Sequence, residues 1–185
     1  MIPHINKIKP AGIDVRLITT ADAIPFYELI EKNRQRLMRY FPKTLKHIRD
    51  LDSTKLFIDL KVNEAAKKEG YWFLVISQKD DQMIGSLAIK DLDLTVPKCE
   101  LAYFIDEDHE GKGITSKAIQ WLVNYCFSEL DMVKIFLRVN PANEASKRVA
   151  LKNGFVKEGY MKKEYRNGFG ELTDVEHYGL ARNWD

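Results

Sequence analysis

Cysteine is scarce in this chain of 185 residues. Only Cys99 and Cys126 are present, each inside an apolar stretch, which argues for two buried free thiols and against a disulfide framework or a thiolate metal site. Four histidines, His4, His47, His109 and His177, are scattered without ligand spacing, so no metal is expected. No apolar run approaches the length that spans a bilayer, and the N-terminal MIPHINKIKP lacks the apolar core of a signal peptide. The expectation is a cytoplasmic protein with no membrane partner. Net charge is nearly missing too: 29 basic against 27 acidic residues leave +2, which gives no ground for nucleic acid as a main partner. Repeats, low-complexity tracts and linkers are also lacking. With 45% hydrophobic and 30% charged residues over this length, one globular domain spanning 1–185 is expected.

The stretch from Cys99 to Phe127 organises the rest. It starts as a strand with Leu101, Tyr103 and Ile105 on one face and Glu100, Ala102 and Phe104 on the other. An acidic connection, Asp106 to Glu110, ends the strand. Gly111, Lys112 and Gly113 then lead into a helix with Ile114, Ala118, Leu122, Tyr125 and Cys126 at helical spacing. Glycines at a helix N-terminus leave backbone N–H groups unobstructed, and with the positive end of the helix dipole they form a cradle for a phosphate or diphosphate. The competing reading is a tight turn and nothing more. A Walker loop fails because Glu107 and Gly113 hold its outer positions, and a dinucleotide fingerprint fails because Ser116 stands where a third glycine is needed.

Along the chain, Val15–Ile18 is a strand candidate. A helix N-capped by Thr20 follows, with Phe26, Leu29, Ile30 and Leu37 on its apolar face as far as Tyr40, and Pro42 closing it. Asn33, Arg34, Arg36 and Arg39 on its other side read as a solvated surface. A second helix runs from about Asp52 to Lys68, capped by Asp52 or Ser53, with Leu56, Phe57, Leu60 and Ala65 inward. Strands at 71–78 and 83–90 are joined by a short polar tract, which favours an antiparallel hairpin. After the glycine helix come a strand at 132–139, a helix at 143–152 stopped by Asn153-Gly154, and strands at 156–165 and 171–180 around an Asn167-Gly168 turn. The fold class is therefore mixed α/β, a mostly antiparallel sheet around one parallel pair.

This order resembles the GNAT superfamily of N-acetyltransferases over nearly the whole chain. The acetyl-CoA signature R/Q-x-x-G-x-G/A aligns with Glu110, Gly111, Lys112, Gly113, Ile114 and Thr115; only the central glycine matches strictly. A second motif is fuller. Asn140 and Asn143, Ser146, Gly154-Phe155 and Glu158-Gly159 stand at the family's spacing, and Ser146, Tyr178-Gly-Leu180 and the Asn33–Leu37 segment look like the branch that acetylates N-termini of ribosomal proteins.

The resemblance implies a GNAT-like acyl-CoA fold with its parallel strands splayed apart. Backbone amides from Gly111 to Thr115, Ile114 included, hold the CoA diphosphate, with Lys112 adding charge. The strand end at Phe104, Ile105 and Asp106 offers backbone groups to the pantetheine arm. Asn143 binds the same arm, or caps its helix, or does both. Exposed strand edges in this fold leave a homodimer open.

Acetyl transfer to an amine needs a neutral nucleophile, oxyanion stabilisation and a proton for the departing thiolate. An α-amine with a pKa near ~7.7–8.0 needs far less help than a lysine near ~10.4. Glu100 is the candidate base, since a charge in the central strand is otherwise poorly accommodated; the alternative is a surface-facing or salt-bridged strand residue. Many GNAT enzymes carry an acid Tyr where this chain has Ala150, so Ser146 is the candidate acid, with Tyr178, Tyr160 and Tyr165 as fallback hydroxyls. The expected function is transfer of an acetyl group from acetyl-CoA to the N-terminal amine of a protein or peptide. A small-molecule amine acetyltransferase and a non-catalytic acyl-CoA-binding module are the alternatives.

Overall fold

A computed structural model describes residues 6–8, by their backbone, and residues 12–182. His4 and most of the N-terminal decapeptide lie outside the described residues. The strands are β1 (Asn6–Ile8), β2 (Ile13–Leu17), β3 (Tyr71–Ser77), β4 (Met83–Asp93), β5 (Lys98–Ile105), β6 (Lys134–Val139), β7 (Val156–Arg166) and β8 (Leu172–Ala181). The helices are α1 (Ala23–Leu37), α2 (Pro42–His47), α3 (Leu51–Lys67), α4 (Ile114–Ser128) and α5 (Glu144–Lys152). Together the strands form one sheet in the order β1-β2-β3-β4-β5-β6-β8-β7, antiparallel throughout except for the β5–β6 pair. That parallel contact follows from the α4 crossover, which returns the chain to the same end of the sheet.

Alternation along the strands splits the core in two. On β3, Tyr71, Phe73 and Val75 face α4, whose Ala118, Ile119, Leu122 and Cys126 pack onto them, while Leu74 and Ile76 face α1 and α3. Cys99 and Cys126 are both buried and free, their sulfurs 3.8 Å apart. No helix among the described residues is long and apolar enough to cross a membrane.

Several local expectations need correction. Pro42 does not merely close a helix; it opens α2 at the first-turn position, where its missing N–H costs nothing. Helix α3 is capped by Asp50, whose side chain accepts from Ser53 N–H at 2.8 Å, two residues ahead of the expected cap. Its inward face is Thr54, Phe57, Ile58 and Ala65, leaving Leu56 71% and Leu60 49% exposed. Thr19, rather than Thr20, caps the entry to α1 through a one-turn 3-10 helix. The β7–β8 connection is not a two-residue Asn-Gly turn. Asn167 Oδ1 accepts from the N–H groups of Phe169 and Glu171, and the positive φ falls at Gly170.

Candidate active site

The parallel pairing is short. It runs from Lys98 opposite Lys134 to Glu100 opposite Phe136 and stops there, although β5 continues along β4 to Ile105 and β6 continues along β8 to Val139. Beyond Glu100 the two strands diverge, and a gap opens between them. Asp106 N–H donates to Ile84 O at 2.7 Å. By the alternation of an antiparallel ladder, Ala102, Phe104 and Asp106 turn their backbone to β4, while Leu101, Tyr103 and Ile105 turn theirs to the gap. Of the three residues expected to offer their backbone to a ligand, Ile105 turns its backbone to the gap, whereas Phe104 and Asp106 have the opposite parity.

At the open end of the gap stands the glycine turn. Gly111 and Gly113 take φ of +72° and +76°, and a Cβ at either would meet no atom within 4 Å. Gly113 is the N-cap of α4 and brings no side-chain cap, so the first-turn amides of Ile114 and Thr115 face a cavity of about 1030 Å³ without side-chain competition. These features fit an anionic ligand. Lys112 does not: its Nζ turns back to Asp108 O at 2.7 Å, off the cavity wall. The cations on that wall are Arg36 and Arg39 from the α1 side and Arg148 and Lys152 from α5.

Helix α1 pins the turn in place. Asn33, 2% exposed, donates from Nδ2 to Asp106 Oδ1 at 3.0 Å, and its Oδ1 accepts from Glu107 N–H at 3.2 Å and from Arg36 Nη2 at 2.7 Å. Lys32 Nζ adds a 2.6 Å bond to Asp106 Oδ2. Burial by itself raises the pKa of the Asp106 carboxyl, but the bonds from Lys32 and Asn33 outweigh it and hold the group below the usual carboxylate range. The polar side of α1 is thus a working surface and not the solvated one that its charge pattern suggested.

Glu100 lies at the closed end of the gap, on the last rung of the parallel pair, 4% exposed. Lys90 stands directly across from it on β4 with Nζ 2.9 Å from Glu100 Oε2, and Arg138 Nη2 bonds the same oxygen. Arg138 also reaches Asp91 at 3.1 Å. A second cavity of about 350 Å³ covers this carboxylate, walled by the α1–α2 turn, α3 and the β7–β8 hairpin. The hairpin is fastened to the turn: Gly168 N–H donates to Met38 O at 2.7 Å and Tyr165 OH to Tyr40 O at 3.0 Å.

Six residues line both cavities: Arg39, Tyr40, Phe41, Tyr103, Asn143 and Ser146. Asn143 caps α5 by accepting from Ser146 N–H at 3.1 Å, which leaves its Nδ2 free to donate into the space. Ala150 is fully buried in the core, so a hydroxyl must come from elsewhere. Ser146 is half-buried at the junction. Sequence reasoning missed Tyr103, which strand alternation assigns to the core; its hydroxyl donates to Ser146 O at 3.3 Å, and burial pushes its pKa up to about 12. Tyr178 is committed to Glu176 and Tyr160 to Asp174, both away from the cavities, whereas Tyr165 lines the smaller one. Among the described residues no cluster of three or more His, Cys, Asp or Glu is placed to hold a metal.

A mostly antiparallel sheet opens beside its one parallel pair, and a glycine-led helix without a side-chain cap stands at the opening, which defines a mixed α/β protein built to take an anionic ligand there. The family described as "Acetyltransferase (GNAT) domain" matches residues 13–156, and the chain belongs to it. It is 30% identical over 183 residues to the YdaF protein of Bacillus subtilis (strain 168), provisionally assigned as a ribosomal N-acetyltransferase, covering 94% of this chain and 93% of that one. It is 28% identical over 153 residues to the ribosomal-protein-serine acetyltransferase of Escherichia coli (strain K12), covering 82% and 83%. Among solved structures, the ribosomal L7/L12 α-N-protein acetyltransferase in complex with coenzyme A superposes with a TM-score of 0.87 at 21% identity, covering 96% and 97%. The chain is therefore an acetyltransferase of the GNAT type.

Proposed function

We propose that this acetyltransferase moves an acetyl group from acetyl-CoA to a primary amine, and that the amine is the N-terminal α-amine of a protein or peptide. One observation carries the reading: the parallel pair ends at Glu100, and two cavities of unequal size meet in the gap just beyond it. The larger cavity suits the cofactor, with first-turn amides of α4 for the diphosphate, the Ile105 backbone and Asn143 Nδ2 for the pantetheine arm, and Arg148 and Lys152 for further phosphate charge. Acetyl-CoA supplies the activated acyl group.

The residues of the chain then divide the proton work. Glu100 accepts the proton lost by the amine nitrogen, through a water, as that nitrogen bonds the carbonyl carbon and the carbon–sulfur bond breaks. Ser146 gives the proton that the departing thiolate takes up. Lys90 and Arg138 are offset by Glu100 and Asp91, so no excess positive charge surrounds the amine and the acceptor's own pKa decides how much of it is neutral. An α-amine near ~7.7–8.0 is readily neutral there, and a lysine side chain near ~10.4 is not.

The names of the relatives that this chain matches over most of its length support a ribosomal protein as the acceptor. A small-molecule amine is the second reading, favoured by the modest size of the acceptor-side cavity, about 350 Å³. Acetyl transfer is followed by mass spectrometry with peptides bearing free or blocked N-termini and with a panel of small amines, including a polyamine. Label on the α-amine of free peptides alone supports the proposal; turnover confined to small amines rejects it in favour of the second reading.

A further inference from the structure

A carboxylate at the mouth of an anion cradle is electrostatically out of place, because it competes for the positive helix end that a diphosphate needs. Glu110 is such a carboxylate. It lines the larger cavity beside Gly111 and Gly113, with its side chain 47% exposed. Arg36, reaching over from α1, meets it: Nη1 bonds Glu110 Oε1, and Nη2 bonds both Asn33 Oδ1 and the Ile105 carbonyl. The remaining nitrogen, Nε, is buried with no partner. The guanidinium therefore fills two positions that a ligand in the gap would want. It occupies the one strand-end carbonyl that faces the gap, and it sits against the cradle where phosphate oxygens would lie.

Resting on the acetyl-CoA reading above, we propose that Arg36 is a cofactor-binding residue held in reserve by Glu110. With a pantetheine amide donating to the Ile105 carbonyl, Arg36 is displaced from that oxygen and exchanges the Glu110 carboxylate for the diphosphate. Each group bonded in the present arrangement keeps a partner in the exchange. The carbonyl keeps a donor, the guanidinium keeps an anion in its fork, and Glu110, already half-exposed, is hydrated. Asn33, fixed between Asp106 and Glu107, is the pivot that keeps Arg36 at the cradle in both arrangements. Glu110 is then a built-in competitor that sets how tightly the cofactor is held.

The experiment is a double-mutant cycle read by calorimetric binding of CoA and of pantetheine, which lacks the phosphates. Arg36→Gln is expected to weaken CoA binding by roughly ten-fold or more, the size of one charge-assisted contact, without weakening pantetheine. Glu110→Gln is expected to tighten CoA by about three-fold or more, since it frees Arg36. The double variant keeps the Arg36→Gln loss relative to Glu110→Gln alone. If Arg36 only neutralises Glu110, the double variant binds CoA like the wild type and Glu110→Gln brings no gain; that result overturns the proposal. Should Arg36→Gln fail to fold, Arg36→Lys in the Glu110→Gln background takes its place: a loss of CoA affinity of about three-fold or more relative to Glu110→Gln alone, with pantetheine unchanged, supports the proposal, and an unchanged CoA affinity overturns it. A wild-type chain that binds no CoA would instead overturn the acetyl-CoA reading.

Discussion

Lys90 and Glu100 face each other across β4 and β5, with the ammonium nitrogen 2.9 Å from Glu100 Oε2. The pair sits at the last rung before β5 and β6 separate, which places the carboxylate at the edge of the gap. Glu100→Gln removes the proton acceptor and keeps the shape. Turnover is expected to fall by about 10²-fold or more, while CoA affinity stays within about three-fold, because the cofactor-side cavity is lined by other residues. Steady-state rates alongside calorimetric CoA binding check this; unchanged turnover at all pH values would reject Glu100 as the base.

Gly113→Val tests the cradle. Its φ of +76° is strained for a β-branched residue, at a cost of about 1–2 kcal/mol, but the added atoms meet open space and not the core. The chain should fold, with a modest loss in Tm, and lose CoA binding by about 10²-fold or more as the side chain fills the place of the diphosphate. Wild-type affinity in this variant would count against the site.

Acid should loosen the same region. The Asp106 carboxyl, held low by Lys32 and Asn33 against the effect of burial, contributes stability that is present above the unfolded value near ~3.9 and is lost as pH falls through the lower folded value. Asp106→Asn should therefore lower Tm at neutral pH and flatten the decline of Tm below about pH 4. A wild-type slope in the variant would mean that the clamp is not what acid breaks.

Alkaline titration reads the buried phenols. Tyr103, Tyr125, Tyr165 and Tyr178 are each pushed up to about 12, by burial first of all. Their neutral form stabilises the fold fully below the unfolded value near ~10, and that stability is lost as pH rises toward 12. Phenolate absorbance should rise in two steps, the later one shrinking by one tyrosine in Tyr103→Phe. A single step near ~10 would contradict the burial of these rings.

Much of the fold is legible in the residues themselves. Alternation marked β3 to β6, the Gly111-Lys112-Gly113 turn marked the head of α4, and Asn143 announced itself as the cap of α5. What escaped was the work of polar side chains reaching between elements. Asn33 and Arg36 follow the same helical spacing whether they meet water or a carbonyl on β5, and periodicity cannot tell the two apart. Lys112 sits in the right place along the chain, yet Asp108 O takes its ammonium. Tyr103 alternates as a core residue but lies where the sheet opens, so its hydroxyl meets α5. Pairings between distant segments, such as Glu100 with Arg138, need the fold before they can be seen.

A crystal structure of this chain with coenzyme A tests the account most directly. The prediction places the diphosphate on the amides of Gly113 to Thr115 and the sulfur in the gap beside Tyr103 and Ser146, with Glu100 at the closed end of that gap. A diphosphate bound elsewhere, or a sulfur outside that gap, would contradict it.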